Sequence, residues 1–274
     1  MREPLDEQDL VTFLIGGLGS GKTELAINLA IRNCKRFGPG KSFLLDLDIV
    51  NPFFRVRKVR EDLAEAGVEV VTPDERVQYG DLPALSAGIW SAFDRPDVSI
   101  VCDVGGGEIG LRPLARLTDL APRRKIVVLC VVNPFRPGFL SADQIIASLK
   151  RFSDISALKI THIVPNPHLV GETTLKIFQD GYEKVRMVAE KVGLPIPFSI
   201  VSSGLAHALG EQIAPPLKEG ESRFVTLGEI PVFAIRRFWE KPWQLGFSQG
   251  KALVLQGKSL VSQGKGHDSN VLHG

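Results

Sequence analysis

The chain has 274 residues, 44% of them hydrophobic and 23% charged, with a formal net charge of +2 at pH 7. That composition is ordinary for a soluble globular protein, and the length allows one large α/β domain or two small ones with a real core. A charge so near neutral gives no argument for nucleic acid or an anionic membrane as partner.

The three cysteines, Cys34, Cys102 and Cys130, are far apart and odd in number, which argues against a disulfide framework. No Cys-x-x-Cys pair occurs, and His162, His168, His207, His267 and His273 show no metal spacing. A zinc or iron–sulfur site within one chain is therefore not expected. The opening segment is charged and lacks the apolar core of a signal peptide. No apolar run reaches bilayer length, so the cytoplasm is the expected compartment.

In chain order, the apolar run 11–15 predicts a first strand. It is followed by Gly16-Gly17-Leu18-Gly19-Ser20-Gly21-Lys22-Thr23 and then by a helical pattern over 23–37. This satisfies G-x-x-x-x-G-K-[ST] between a strand and a helix. Glycines let the backbone wrap with its N–H groups inward at phosphate oxygens, and the next helix adds its dipole. Lys22 can reach the β- and γ-phosphates and the Thr23 hydroxyl can ligate Mg²⁺. An empty site is expected to leave Lys22 facing solvent. Leu25, Ala26, Leu29, Ala30 and Cys34 form the apolar stripe of the helix, which stops at Gly38.

The next strand, 42–48, ends in Asp46-Leu47-Asp48. Carboxylates at i and i+2 on a strand point the same way, and at the carboxyl end of a parallel sheet they face the ligand crevice. A charged helix over 55–66 and a strand over 68–71 follow, then a helix over 83–93. The strand 99–104 carries Asp103, the expected second Mg²⁺ partner. Asp103-Val104-Gly105-Gly106 also fits D-x-x-G, in which a glycine N–H can sense the γ-phosphate and make a switch. Gly105, Gly107 and Gly110 spell G-x-G-x-x-G, but the motif alone is weak in a glycine-rich chain, and Pro113 falls where the opening helix should run.

Strands over 125–132, 158–164 and 198–201 alternate with helices over 141–152 and 173–192. The alternation argues for an open, mostly parallel sheet with helices on both faces. Two Asn-Pro corners, at Asn133 and Asn166, follow strands. Either amide offers the donor and acceptor that pair with the N6 and N7 edge of adenine, and either could be a turn residue. The guanine-type N-K-x-D pattern is absent at both. Gln-Gly-Lys recurs at 249, 256 and 263. The glycine in each repeat disfavours a helix, so 1–245 reads as one nucleotide-binding domain and 246–274 as a low-complexity, flexible tail.

Taken together, these segments resemble the MinD/ParA group of P-loop ATPases, which also includes nitrogenase iron protein relatives and CobQ/CobB-type enzymes. The resemblance covers residues 10–240 and rests on the loop 16–23, Asp46-x-Asp48 and Asp103-Val104-Gly105-Gly106, with Asn166 and Leu194-Pro195-Ile196-Pro197 in support. The segment from Asp48 to Arg55 looks like that of a bacterial and archaeal subgroup of ATP-binding proteins in this group. The resemblance implies the doubly wound P-loop NTPase fold and Mg-ATP at the strand ends. It implies Lys22 for the phosphates, Thr23 and Asp103 for Mg²⁺, Asp48 for the attacking water and Asn166 for adenine; Asp46 is assigned to Mg²⁺ waters. In much of the group the second loop residue is a lysine that reaches into a partner subunit, whereas here it is Gly17. That departure argues against an ATP-sandwich dimer but not against nucleotide binding. The expected function is a slow Mg-dependent ATPase acting as a regulatory or assembly switch. An external cation, from Arg55 or Arg57 of a neighbour or from a client, is expected to complete the site. A homodimer and a protein client both stay open as partners. An ATP-dependent small-molecule ligase, with Tyr79 to Pro83 and Arg55 or Arg57 as substrate groups, and a GTP-dependent metallochaperone stay open as alternatives.

Overall fold

The computed structural model of the protein describes residues 5, 7–48, 56–72, 87–116, 124–216 and 222–238. The expected tail over 246–274, the Tyr79 to Pro83 segment and Arg55 lie outside these residues. The chain runs β1 (Val11–Gly16), α1 (Lys22–Phe37), β2 (Ser42–Leu47), α2 (Val56–Glu65), β3 (Glu69–Val71), α3 (Ala87–Asp94) and β4 (Ser99–Val104). It continues through α4 (Gly107–Leu111), β5 (Ile126–Val132), α5 (Ala142–Ser156), β6 (His162–Pro165) and α6 (Leu175–Val192). It ends with β7 (Ser199–Ser202), α7 (Ser203–Ala208), β8 (Ile213–Ala214), β9 (Arg223–Leu227) and β10 (Ile230–Ile235).

Six strands form a parallel sheet in the order β3-β2-β4-β1-β5-β6. The chain leaves β1 in one direction to β2 and β3, then returns through β4 and crosses to β5 and β6. This reversal beside β1 opens a crevice at the carboxyl ends of the strands. The central strands read as unbroken apolar runs because both of their faces are covered. Phe13 and Ile15 of β1, Cys102 of β4 and Cys130 of β5 face α3, α5 and α6, represented by Ile89, Phe152 and Val185. Leu14, Val101, Leu129 and Val131 face the other way, against Leu25 and Leu29 of α1 and Leu63 of α2. Each large side chain buried in this way contributes about 1.5–3 kcal/mol.

Helix ends follow their local chemistry. Ser141 and Gln144 form a reciprocal capping box at the start of α5, and Thr174 accepts from the Ile177 N–H at the start of α6. α6 stops at Gly193 in the left-handed region. The expected strand over 158–164 starts later. Thr161 N still donates to Val128 O at 3.0 Å, but Val128 N donates to the Thr161 hydroxyl at 2.9 Å instead of to a backbone carbonyl. A smaller sheet of β7, β10, β9 and β8 follows, parallel only between β7 and β10. Ser199 Oγ ties it to β6 by donating to Pro165 O at 3.0 Å. No helix among the described residues is long and apolar enough to cross a membrane.

All three thiols are buried. Burial pushes the thiols of Cys34 and Cys102 up, and that of Cys130 up to about 12. The native protein should therefore resist a thiol-labelling reagent at pH 8, whereas the unfolded chain should take three labels. Rapid native labelling of Cys102 or Cys130 would contradict this packing.

Candidate functional site

β1 carries Gly16 to the carboxyl edge of the sheet, where it pairs with Val131 of β5. The loop then turns through Gly19 and Gly21, at φ 68° and 96°, a region that L side chains rarely enter. Gly21 caps α1 with no side-chain bond of its own, and the N-terminus of a helix suits an anion. Lys22 is not directed to solvent as expected; it is 6% exposed. Its ammonium donates to Gly17 O at 2.8 Å, Gly16 O at 3.1 Å and Ser20 Oγ at 3.5 Å. The four-carbon stem folds back so that these peptide carbonyls lie within reach of the ammonium. Phosphate oxygens, fully charged, can displace them.

The acidic strand ends meet this loop. Asp46 and Asp103 are register partners on β2 and β4, and Asp103 also lies opposite Leu14 of β1. Both carboxylates are buried, and Thr23 is half-buried in the first turn of α1. Asp48 lies just past β2, and its N–H donates to Asp46 Oδ1 at 3.1 Å. Its side chain sits so close to Gly105 that a β-carbon there would lie 2.8 Å from Asp48 Oδ1. One at Gly106 would lie 2.7 Å from Leu18 Cδ2. The Asp103-to-Gly106 segment thus packs on both the phosphate loop and Asp48. Gly110 abuts the Gly105 carbonyl, where a β-carbon would lie 2.3 Å from the oxygen. The 105–110 glycines therefore serve a tight turn and short helix. Glu108 pairs outside the site with Arg151 at 3.2 Å.

The two Asn-Pro corners have different fates. Asn133 spends its amide on loop backbone: Nδ2 donates to His168 O at 2.9 Å, and Oδ1 accepts from Phe135 N at 3.1 Å. Asn166 is 7% exposed and donates from Nδ2 to Ser20 O at 2.7 Å. That leaves a second amide hydrogen and the carbonyl oxygen for another partner. After Asn166 the chain reaches a cavity of about 480 Å³ lined by Val170, Thr173, Ser202, Ser203, Arg236 and Arg237, among others. Asn28 of α1 holds the Arg236 backbone with both ends of its amide, at 2.8 and 2.9 Å. Glu24 accepts from Phe238 N at 2.9 Å. The helix that follows the phosphate loop therefore also positions this cavity. Burial, helped by Arg237 and Arg136, lowers the His168 pKa to about 4, so its ring is neutral at pH 7.

The parallel sheet, with the loop from Gly16 to Thr23 between β1 and α1, has the P-loop NTPase fold. No protein-family model and no curated protein matches the chain. Among solved structures it is similar to the cell division protein FtsY of Thermotoga maritima, at 19% identity and TM-score 0.49 over 73% of this chain and 63% of that one. It is also similar to Signal Recognition Particle 54 kDa protein of Aeropyrum pernix K1 in complex with GDP, at 21% identity and TM-score 0.47 over 82% and 44% of the chains. FlhF complexed with GTP and Mg²⁺ matches at 17% identity and TM-score 0.45 over 72% and 67%. The chain spans 57–63% of the length of the FtsY structures it matches. None of these is a MinD or ParA protein, and the likeness concerns the fold alone.

Sequence reasoning missed the reason for Gly17. A β-carbon there would stand 2.4 Å from Phe139 Cε2, so the lysine found at this place in the MinD/ParA group has no room. The only signal in the sequence was an aromatic residue in a Pro- and Gly-rich turn after β5. Gly17→Ala should destabilise the fold by about 1–3 kcal/mol through overpacking, and Phe139→Ala by about 3–5 kcal/mol. Because the two side chains share one space, the double variant should lose less than the sum in denaturant unfolding. Strict additivity would refute the contact.

Proposed function

We propose that the chain is a nucleotide-driven switch that takes Mg-ATP on the loop from Gly16 to Thr23 and hydrolyses it slowly. The observation that supports this most is the convergence of that loop with Asp46, Asp48, Asp103 and Asn166 at one edge of the sheet. The Thr23 hydroxyl and the carboxylates of Asp46 and Asp103 are hard oxygen donors of the kind magnesium takes. Two buried carboxylates side by side on neighbouring strands also favour a cation near them. Magnesium, when bound, supplies charge neutralisation at the terminal phosphates.

In this reading Lys22 exchanges the Gly16 and Gly17 carbonyls for β- and γ-phosphate oxygens. Asp48 orients a water for in-line attack on the γ-phosphorus. Asn166 presents its remaining amide hydrogen and its carbonyl oxygen to adenine N7 and N6, with the adjoining cavity receiving the nucleoside. The Gly105-Gly106 segment touches both Leu18 and Asp48, so a γ-phosphate that shifts the loop would be felt there, which is the element a switch needs. The motif set favours the MinD/ParA-like, adenine-specific version. A protein client or a second copy of the chain would read the switch.

Calorimetric titration tests binding. Lys22→Ala should weaken ATP about ten- to a hundred-fold, the worth of a charge-assisted phosphate contact, and GTP should bind the wild-type protein more weakly than ATP. Wild-type affinity in the variant would sink the phosphate role; tighter GTP binding would reverse the base assignment.

Hydrolysis is a separate matter. Asp48→Ala should keep ATP affinity within a few-fold and lower turnover by about 10². A variant that hydrolyses at the wild-type rate removes Asp48 from the mechanism.

A further inference from the structure

The turn after β5 runs across the phosphate loop and is fastened along its length. Arg136 N donates to Asn133 O at 3.2 Å, Phe139 N to Arg136 O at 3.0 Å, and Ser148 Oγ to Gly138 O at 3.3 Å. Phe139 fills the space beside Gly17, and Arg136 lies over Gly19. Measured from where a β-carbon on Gly19 would stand, Arg136 Nε is 3.4 Å away, Cζ 3.5 Å and Nη2 3.8 Å. The guanidinium is thus laid against bare main chain of the phosphate loop. Its Nε is buried without a hydrogen-bond partner. The guanidinium forms no ion pair among the described residues. Arg136 as a whole is half-buried, but a buried N–H left without an acceptor is costly, and the loop beneath it is of the kind that holds an anion.

We propose that Arg136 supplies, from within the same chain, a second cation on the phosphates of a bound nucleoside triphosphate. The inference rests on the nucleotide-binding reading above. The turn that carries Phe139 excludes a lysine at position 17 and delivers an arginine to the same loop. A planar guanidinium can grip two phosphate oxygens at once, a geometry that a lysine cannot offer. The site then needs no arginine from a neighbour or client for charge neutralisation, contrary to the sequence-based expectation.

The test is calorimetric titration of the full chain, with magnesium, using ATP and AMP as probes and wild type, K22A, R136Q and R136K as proteins. R136Q should weaken ATP about ten- to a hundred-fold while AMP affinity and melting temperature stay at wild-type values, and R136K should recover part of the loss. Wild-type ATP affinity in R136Q, alongside loss in K22A, overturns the role of Arg136 and leaves the nucleotide reading standing. Equal loss of ATP and AMP, or a lowered melting temperature that R136K does not restore, assigns Arg136 to packing and also overturns it. No ATP binding by the wild-type protein overturns the nucleotide reading and this inference together.

Discussion

A buried ammonium must have acceptors, and Lys22 finds them in the carbonyls of Gly16 and Gly17. The loop between β1 and α1 is therefore closed on its own lysine until something more negative takes the lysine's donors. The rest of the site is packed onto that same main chain. Phe139 meets it at Gly17, the segment after β4 meets it at Leu18, and Asn166 meets it at Ser20 and Gly21. Turns that follow three different strands thus converge on a glycine-rich loop. Contact requires glycine at positions 17 and 21, and at 21 the backbone, at φ 96°, requires it as well.

The sheet makes this convergence reproducible. Residues alternate between two buried faces along β1, β4 and β5, so slipping one strand by one residue would exchange its whole set of core side chains. That fixes Asp103 opposite both Leu14 and Asp46. The carboxylates reach the edge because the apolar ladder beneath them has only one register that keeps both cores filled. Stability and site geometry are consequences of the same alternation.

Much of this was legible in the sequence, because it is written in contiguous residues. The loop 16–23 needs only its own glycines, and the strand and helix periods need only near neighbours. The two Asn-Pro corners were not separable, since each amide's fate depends on a distant partner: His168 for Asn133, Ser20 for Asn166. The strand over 158–164 was read too early because Leu158 and Ile160 are buried without entering the ladder. The β9–β10 hairpin was missed because its two-residue turn, Gly228-Glu229, lacks the usual Asn-Gly or Asp-Gly signal. Pro231 also interrupts the strand pattern. The cavity beside Arg236 and Arg237 draws its lining from three separate segments, and no local pattern announces that.

The glycine at position 17 shows how a departure from a motif can be misread. In the sequence it is a missing cation, and a missing cation invites an external one. In the fold it is one half of a steric exchange, because the phenyl ring of Phe139 stands where the side chain would be. Phe139 is anchored away from the loop as well, tilted against Phe152 of α5 at 6.2 Å between centroids. The ring therefore cannot retreat without opening the core between sheet and helix. A lysine at 17 and an aromatic at 139 are alternatives rather than independent choices, so the position is determined by packing before electrostatics is considered. The turn that holds the ring in place also carries Arg136 over the next open stretch of main chain, at Gly19.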